Sequence, residues 1–486
     1  MEIITRDIIN KDLVITGLKL DTTTDTVTST VTTYNNLINR IDSVKEFLIT
    51  KYNVTPGQKI AICIIYWPDY VAWFFACCEL GISFVVIDYP RTKEALAKFT
   101  VYGDIDYVAH DVHYPSGLNY YPGITVINSN EVDNYNYSGN KTPIRVTSDS
   151  VLLYATTSGT TGSPKKIINE HKYFWDLMDR NARVLDLKSN DRCLHSKTLH
   201  HGSVSCAYFI PAMKHCSHHY HAPYNTFYGD VDETPLIKAW VNLIQEEKIT
   251  KCLMFYEQID DLIKYLDLKK KQHDNLTVFV LSKIKQFHLD VIIKNFNYKI
   301  ISIFGSVETG GPLFLPQVTT DKIDSYDPFN MGCVLDDMFQ LKINEESLLE
   351  IKTPWATDYV CIGDKFKIND NNEWIYGGRE NIYKINGRTV YLLLMIQTVE
   401  SSLNLKNESD FDIVIDQKED KIYIRSEQPV DLTQLNNIIL DHINEKCYNI
   451  CYNLVIPRNQ CFSGIKFDQE YIRIVCRNAI NQHQAV

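Results

Sequence analysis

The chain has 486 residues, 45% of them hydrophobic and 22% charged, proportions that exclude a disordered segment, a fibre and a disulfide-stapled miniprotein. Its 49 Lys and Arg stand against 60 Asp and Glu, a formal charge of −11, and no long basic stripe relieves it, so a general nucleic-acid binder is disfavoured. The length predicts about two to four structural units with a large core. The 13 cysteines form no CxxC pair, and MEIITRDIIN has neither the charged nor the apolar region of a signal peptide. Reduced thiols and a cytoplasmic location are expected.

In chain order, the first informative stretch is Ile60 to Val86. Pro68, Asp69 and Glu79 interrupt it before it offers about 20 uninterrupted apolar residues, so no membrane span is expected. It divides into a buried strand, IAICII, and a buried helix, PDYVAWFFACCELG, with Pro68 at its start and Gly81 at its end. SFVVIDY supplies the next strand. Strand, helix and strand make a βαβ unit, which predicts an α/β fold with a parallel sheet.

Next, the apolar strand VLLYAT runs into a Ser/Thr/Gly loop and on towards a helix in YFWDLMDRNARVL. Gly159 and Gly162 permit tight turns and close backbone approach. The hydroxyls of Thr157, Ser158, Thr160 and Thr161 can donate to anionic oxygens, and Lys165 adds positive charge. Such a loop suits a polyphosphate. It is not a Walker A loop, because two residues instead of four separate the glycines and Pro164 precedes the lysine, which disfavours a kinase or P-loop ATPase.

The stretch YATTSGTTGSPK resembles the phosphate-binding signature of the adenylate-forming (AMP-binding) superfamily of acyl-CoA synthetases, nonribosomal-peptide adenylation domains and luciferases, with Lys166 where the family usually has Gly. PDYVAWFFACCELGISFVVIDYP is similar to an early core segment of that family, and four later blocks follow in the family's order, so that the resemblance spans about Gln58 to Lys466. It implies a large N-terminal domain, residues 1–378, with mixed and parallel sheets flanked by helices, binding ATP and the acyl group. A small, mobile α+β lid, residues 379–486, would follow.

IFGSVETGG looks like the family's aromatic-Gly-x-Thr-Glu motif. By that resemblance Phe304 stacks on adenine beside Gly305, and Glu308 holds Mg²⁺. The residue types suit these roles, since a nucleobase takes an aromatic face and magnesium takes hard carboxylate oxygen. Val307 departs from the family's threonine, which touches the α-phosphate, and that contact is missing or moved to Ser306 or Thr309. In YVCIGDKFKINDNNEWIYGGRE, a hairpin is predicted, and the resemblance has Asp364 and Arg379 grip the ribose hydroxyls. Glu308 and Asp364 are both expected at the site surface.

GGRENIYKINGR resembles the hinge between the two domains, with the pivot at Glu380 or Asn381. Beyond it, FDIVID and KIYIRS read as a hairpin, LTQLNNIILDHINEKC as an amphipathic helix and YNLVI as a strand. VIPRNQCFSGIKFDQEYIR is similar to the family's C-terminal Pro…Gly-Lys motif, with Ile465 inserted before Lys466. The resemblance gives Lys466 the role of reaching the reacting carboxylate and the α-phosphate.

LHSKTLHHGSVSCAYFIPAMKHC falls where the family lines its carboxylate pocket, and the resemblance assigns the family's aromatic or histidine gate to His200 or His201, with His201 favoured by its neighbour Gly202. No aspartate follows Asp191 in this segment, whereas relatives that activate amino acids use one to hold the α-ammonium, so an acyl or aryl acid is preferred. His215, His218, His219 and His221 could mimic a zinc cluster, but they lack paired ligand spacing with cysteine. The Gly-rich adenine turn upstream is replaced by LSKIKQ, which leaves a second function open: a degenerate relative that binds nucleotide or acyl group without catalysis. The favoured expectation is an acid–thiol ligase using ATP and Mg²⁺. It would form acyl-AMP and pass the acyl group to CoA or to the phosphopantetheine of a separate carrier protein.

Overall fold

The computed structural model describes residues 9–21, 26–64, 66–85, 105–111, 124–139, 146–156, 166–196, 205–222, 234–254, 256–265, 276–281, 289–295, 298–318, 323, 326–327, 329–379, 382–385, 388–391, 411–416, 421–426, 451–455, 462–463 and 466–467. The chain divides into two compact units. One comprises Met1–Glu345, Leu349–Ile362 and Lys367–Tyr376, and the other Glu346–Leu348, Gly363–Phe366 and Gly377–Val486.

The first unit is α/β. A six-stranded sheet has the spatial order Thr125–Asn128, Tyr107–His110, Lys59–Cys63, Ser83–Val85, Val151–Thr156 and Lys166–Glu170. Its pairings are parallel except the last, where Val151–Thr156 and Lys166–Glu170 run antiparallel. The expected βαβ unit is therefore present, as Lys59–Cys63, the helix Trp67–Leu80 and Ser83–Val85. That helix has Pro68 in its first turn, where a missing N–H costs nothing, and ends on Gly81 at φ 67°, a conformation that only glycine adopts freely.

An eight-stranded sheet lies beside it in the order Gln317–Val318, Lys299–Ser302, Thr277–Val280, Lys251–Met254, Arg192–His195, His218–His221, Val14–Asp21 and Thr26–Thr33. Its six central strands are parallel, and an antiparallel strand closes each edge. The central strands are short and nearly all apolar, as expected for strands buried on both faces. The helices Thr234–Glu246 and Tyr256–Tyr265 supply Trp240, Val241, Ile244, Ile259 and Leu262 to one core cluster on this sheet.

Trp67–Leu80 is the helix that joins the two sheets. Its Tyr70 and Phe74 meet Phe84 of the six-stranded sheet. Its Trp67 meets His195, His219 and His221 of the eight-stranded one. Phe74 and Phe75 also touch Phe174 and Trp175 of the helix His171–Val184. Burial on every side explains why this helix is apolar all round instead of striped. The helix Tyr34–Tyr52, by contrast, has the buried stripe Leu37, Ile41, Val44 and Leu48 and is tied to its neighbour through Lys45 Nζ, 2.6 Å from Glu79.

In the second unit, Phe411–Asp416 pairs antiparallel with Lys421–Ser426 as expected, and Cys451–Val455 adds a parallel strand. Ile382–Ile385 forms a hairpin with Arg388–Tyr391, and Phe462–Ser463 pairs with Lys466–Phe467. The expected helix in LTQLNNIILDHINEKC and the pivot Glu380–Asn381 lie outside the described residues.

One element was not anticipated. Between the phosphate-loop segment and the helix His171–Val184 stands the strand Lys166–Glu170, which returns antiparallel along Val151–Thr156. Its sequence, KIINE, is a five-residue run with only two apolar residues at its centre, too short for strand periodicity to register.

Candidate functional site

Thr157, Ser158, Gly159, Thr160, Thr161, Gly162 and Lys165 lie outside the described residues, as do His200 and His201. The structure does place both flanks of the phosphate-loop segment, Val151–Thr156 and Lys166–Glu170, as paired strands. It also places both flanks of the gate segment, the strand Arg192–His195 and a π-helical turn, Ser205–Phe209, that leads into the helix Ile210–His215.

The best-defined part of the site is the turn that carries Phe304, Gly305 and Glu308. Phe304–Ser306 pairs antiparallel with Gly311–Phe314, and Thr309 locks the loop between them. Its buried hydroxyl accepts from the Ser306 amide at 3.1 Å and lies 2.9 Å from the carbonyls of Ser306 and Gly311. A Cβ on Gly305 would stand 2.3 Å from the Gly311 carbonyl oxygen, so the two strands close only because residue 305 has no side chain. Gly310 turns the chain at φ 56°.

Phe304 is half-buried, and its ring lies 5.4 Å from Tyr376 and 5.9 Å from Phe314. Trp374 packs on Phe314 in turn, at 5.7 Å. The aromatic wall is thus built from the turn and from the strand around Trp374–Tyr376. Val307 at the tip is 37% exposed, whereas Glu308 beside it is only 7% exposed. No described residue hydrogen-bonds to the Glu308 carboxylate or pairs with it. A buried carboxylate without a cationic partner among the described residues fits a hard divalent ion such as magnesium, which takes oxygen ligands and keeps several of its waters.

Behind this turn stands the helix His171–Val184. Arg180, 2% exposed, donates to the Pro312 carbonyl and grips Asp336 through Nε at 2.7 Å and Nη2 at 3.4 Å, with its guanidinium over the Phe339 ring. Asn181, fully buried, donates to the Gly310 carbonyl at 3.1 Å and to the Cys206 carbonyl at 3.0 Å. Sequence reasoning missed both residues. Their signal was two adjacent polar positions, Arg180 and Asn181, interrupting the apolar face of an otherwise amphipathic helix.

The remaining candidates belong to the second unit. Asp364 is on the strand Val360–Ile368, Arg379 ends the strand Trp374–Arg379 opposite Ile382, and Lys466 stands opposite Ser463. The turn of the expected hairpin is formed by Asn369, whose amide donates to the Glu373 carbonyl at 3.0 Å and whose side chain receives the amides of Asn371 and Glu373. Asp364 is 4% exposed, so the surface position expected for it and for Glu308 is corrected: both carboxylates are buried. The physical reason is that the neighbouring strand residues Phe366 and Ile362 are core positions, and the alternation of the strand carries Asp364 to the same face.

His218, His219 and His221 do not form the metal-like cluster their spacing could mimic. His219 and His221 point into the core against Trp67, His215 pairs with Asp179 at 3.1 Å, and His218 meets Ser217. Among the described residues no group of three or more His, Cys, Asp or Glu side chains is placed to hold a metal ion, and no helix is long and apolar enough to cross a membrane.

No curated protein matches the chain. Solved structures do. McyG A-PCP, complexed with phenylalanyl-adenylate, matches with a TM-score of 0.65 and 15% identity over 98% of this chain and 94% of that one. The o-succinylbenzoate CoA synthetase MenE of Bacillus subtilis, bound to a product analogue, matches at 0.70 and 14% over 91% and 93%. A fatty acyl CoA synthetase of Mycobacterium tuberculosis matches at 0.62 and 13%, over 94% of each chain. At these identities the likeness is one of fold. The description that fits the sequence itself is that of the AMP-binding enzyme, matched over residues 21–350. With the aromatic-Gly turn and its buried glutamate standing inside that span, the chain belongs to the AMP-binding, adenylate-forming family.

Proposed function

We propose that this protein activates a carboxylic acid, acyl or aryl, with ATP and transfers it to a thiol. The observation that carries the reading is Glu308, buried without a described partner four residues after Phe304, on a turn whose geometry is fixed by Gly305 and Thr309. Family membership supports adenylation as the first step.

In the first half-reaction a carboxylate oxygen attacks the α-phosphorus of ATP, the bond to the β-phosphate oxygen breaks, and pyrophosphate leaves acyl-AMP behind. Thr157, Ser158, Gly159, Thr160, Thr161 and Gly162 would wrap the phosphates, and Lys165 and Lys466 would offset the charge that grows on them. Phe304 and Gly305 would face adenine, and Asp364 with Arg379 the ribose hydroxyls. Glu308 would hold the magnesium, which neutralises phosphate charge when bound. In the second half-reaction a thiol adds to the acyl carbonyl carbon and AMP departs.

Residues 1–378 would act as the nucleotide and acyl domain and residues 379–486 as the lid, pivoting at Glu380–Asn381. His201 is our choice for the gate of the acid pocket. The absence of aspartate between Lys197 and Phe209 supports an acid without an α-ammonium. The thiol is that of CoA or of the phosphopantetheine on a carrier protein. The similar folds include both a synthetase for a CoA ester and an adenylation–carrier didomain, so fold alone does not choose between these acceptors.

The test is pyrophosphate release across fatty, aryl and hydroxy acids, with amino acids as the contrasting set. Release with at least one acid and its loss by orders of magnitude in Glu308→Gln is expected. Unchanged pyrophosphate exchange in Glu308→Gln would remove the metal assignment. Nucleotide binding with no release for any acid would favour the non-catalytic relative instead.

A further inference from the structure

Asn181 is a fully buried amide whose nitrogen and oxygen are both engaged, by two remote segments and by its neighbour Arg180 on the same helix. One N–H of Nδ2 reaches the Gly310 carbonyl at 3.1 Å, in the turn of Phe304 and Glu308. The other reaches the Cys206 carbonyl at 3.0 Å, in the π-helical turn that follows the gate segment. Oδ1 accepts from Arg180 Nη1 at 3.2 Å. Two carbonyls on one side and a guanidinium on the other leave only one way to orient the amide. The helix bearing Asn181 is entered directly from Lys166–Glu170, the strand that returns from the phosphate-loop segment.

The packing is as tight as the hydrogen bonding. A Cβ on Gly311 would stand 2.3 Å from Asn181 Oδ1 and 2.4 Å from Nδ2, and one on Gly310 would stand 2.8 Å from Leu177 of the same helix. The amide therefore fills the space that the two glycines leave. A turn held only by its own hydrogen bonds can shift as a body. This turn cannot shift without unmaking a bond to Asn181, and the π-helical turn at Cys206 is held by the same nitrogen.

We infer that Asn181 is a positioning residue that couples the nucleotide turn to the acid-side segment, so that ordering one orders the other. The inference rests on the proposed roles of Phe304 and Glu308 and adds to them a named route between the ATP and acid subsites. A π-helical turn is rare and often stands at a functional site. Here the hold on Cys206 comes from the residue that also holds Gly310. Coupling of this kind is reciprocal, and it requires only that both segments share one bond network with two arrangements.

Hydrogen exchange on the intact protein tests the coupling without knowledge of the acid. Asn181→Leu keeps the volume and removes the side-chain donor from the buried Cys206 carbonyl and from the part-buried Gly310 carbonyl. Its amides at 306–311 and at 206–213 should exchange roughly tenfold faster, the scale of one or two lost hydrogen bonds, while those of the central strand Lys251–Met254 stay unchanged. Gly311→Ala, which displaces the same amide from the opposite side, should reproduce the pattern.

With a non-hydrolysable ATP analogue, exchange in the wild type should slow in both segments. In Asn181→Leu it should slow in the turn alone. Loss of protection in only one segment, or an equal loss throughout the chain, would overturn the coupling, as would slowing of both segments by the analogue in Asn181→Leu. If the analogue leaves the wild-type turn untouched, the nucleotide assignment of Phe304 and Glu308 fails, and the coupling is then judged by the ligand-free exchange of the two variants.

Discussion

The indole of Trp67 lies on the imidazole of His221, ring centroids 5.2 Å apart and planes 17° from parallel. The same indole stacks on His195 at 5.7 Å, and His195 in turn stacks on His219 at 5.4 Å. The tautomers follow from the bonds. His219 Nε2 can only donate to the Cys216 carbonyl, 3.1 Å away, so its Nδ1 is the acceptor for His195 Nε2, also at 3.1 Å. A second proton on His195 would sit on Nδ1, which has no hydrogen-bond partner among the described residues. The stack joins the helix Trp67–Leu80 to the eight-stranded sheet as a neutral aromatic contact where most folds would place aliphatic side chains.

Acid should therefore loosen this contact. Burial, followed by repulsion from His219 and His221, holds His195 well below the usual imidazole range, and burial pushes His219 down to about 4. His171, against Trp175, is held at about 4 for the same reason. For each, the unfolded chain binds a proton near pH 6.5 that the folded chain refuses. Stability is thus fully present above about pH 6.5 and falls below it by roughly 1.4 kcal/mol per pH unit for each ring, until for His219 and His171 the folded ring protonates near pH 4. Urea midpoints between pH 7.5 and 4.5 should show this slope. The double variant His195→Phe/His219→Phe should remove the share of these two rings and leave that of His171, whatever its stability at neutral pH, and an unchanged slope would discard the assignment.

The central helix, its neighbouring strands and the lid hairpin were legible because each follows one period over enough residues. IAIC is continuous, PDYVAWFFACCEL is framed by Pro68 and Gly81, and FDIVID and KIYIRS alternate. The turn of Phe304 was legible for a different reason, because IFGSVETGG resembles a family motif whose Gly305 is demanded here by close approach to the Gly311 backbone. What was hidden depends on contacts remote in sequence. Nothing in HHYH tells that His219 and His221 face an indole some 150 residues earlier, and nothing in DRNAR tells that Arg180 and Asn181 meet carbonyls at 310 and 312. The burial of Asp364 was readable in principle from the alternation of CIGDKFKI, but the charge itself argued for the surface.

The turn gives a contrast between neighbouring positions. Gly305→Ala sets a Cβ 2.3 Å from a backbone oxygen that has no rotamer to move, so the Phe304–Ser306 and Gly311–Phe314 strands must separate. A stability loss of about 1–3 kcal/mol is expected, together with loss of nucleotide binding. Val307→Thr, at an exposed tip, should leave the unfolding midpoint within about 0.5 kcal/mol of wild type. If the missing family hydroxyl matters, it should raise kcat/KM for ATP several-fold. Equal effects of the two substitutions on the midpoint would contradict the geometry.

Arg180 and Asp336 form the ion pair behind that turn, with side-chain exposures of 2% and 18%. Asp336→Asn would keep an acceptor oxygen but remove the counter-charge from a buried guanidinium, whose other described partners are the neutral Pro312 carbonyl, the Asn181 amide and the Phe339 ring. The expected cost is about 3–5 kcal/mol. Arg180→Met/Asp336→Asn together should cost less than Asp336→Asn alone, because the uncompensated charge is gone. Denaturant titration of the three variants gives the cycle, and a strictly additive result would show that the pair is not coupled.

The last prediction concerns Lys466, which heads the strand Lys466–Phe467 opposite Phe462–Ser463. In the proposed reaction this lysine acts in one orientation of the lid, bridging the incoming carboxylate and the α-phosphate, and the lid then rotates before the thiol arrives. The two half-reactions should accordingly separate. Lys466→Ala should lose adenylate formation, because a positive charge is missing where negative charge grows in the transition state. It should still turn a supplied acyl-adenylate into the thioester, since thiol attack uses the rotated lid and not this side chain. Lys165→Ala should instead weaken ATP use while leaving acid binding intact. Pyrophosphate release and thioester formation are measured separately for each variant. A Lys466→Ala enzyme that loses both steps in proportion would mark the lysine as structural. One that loses neither would move the role to another residue.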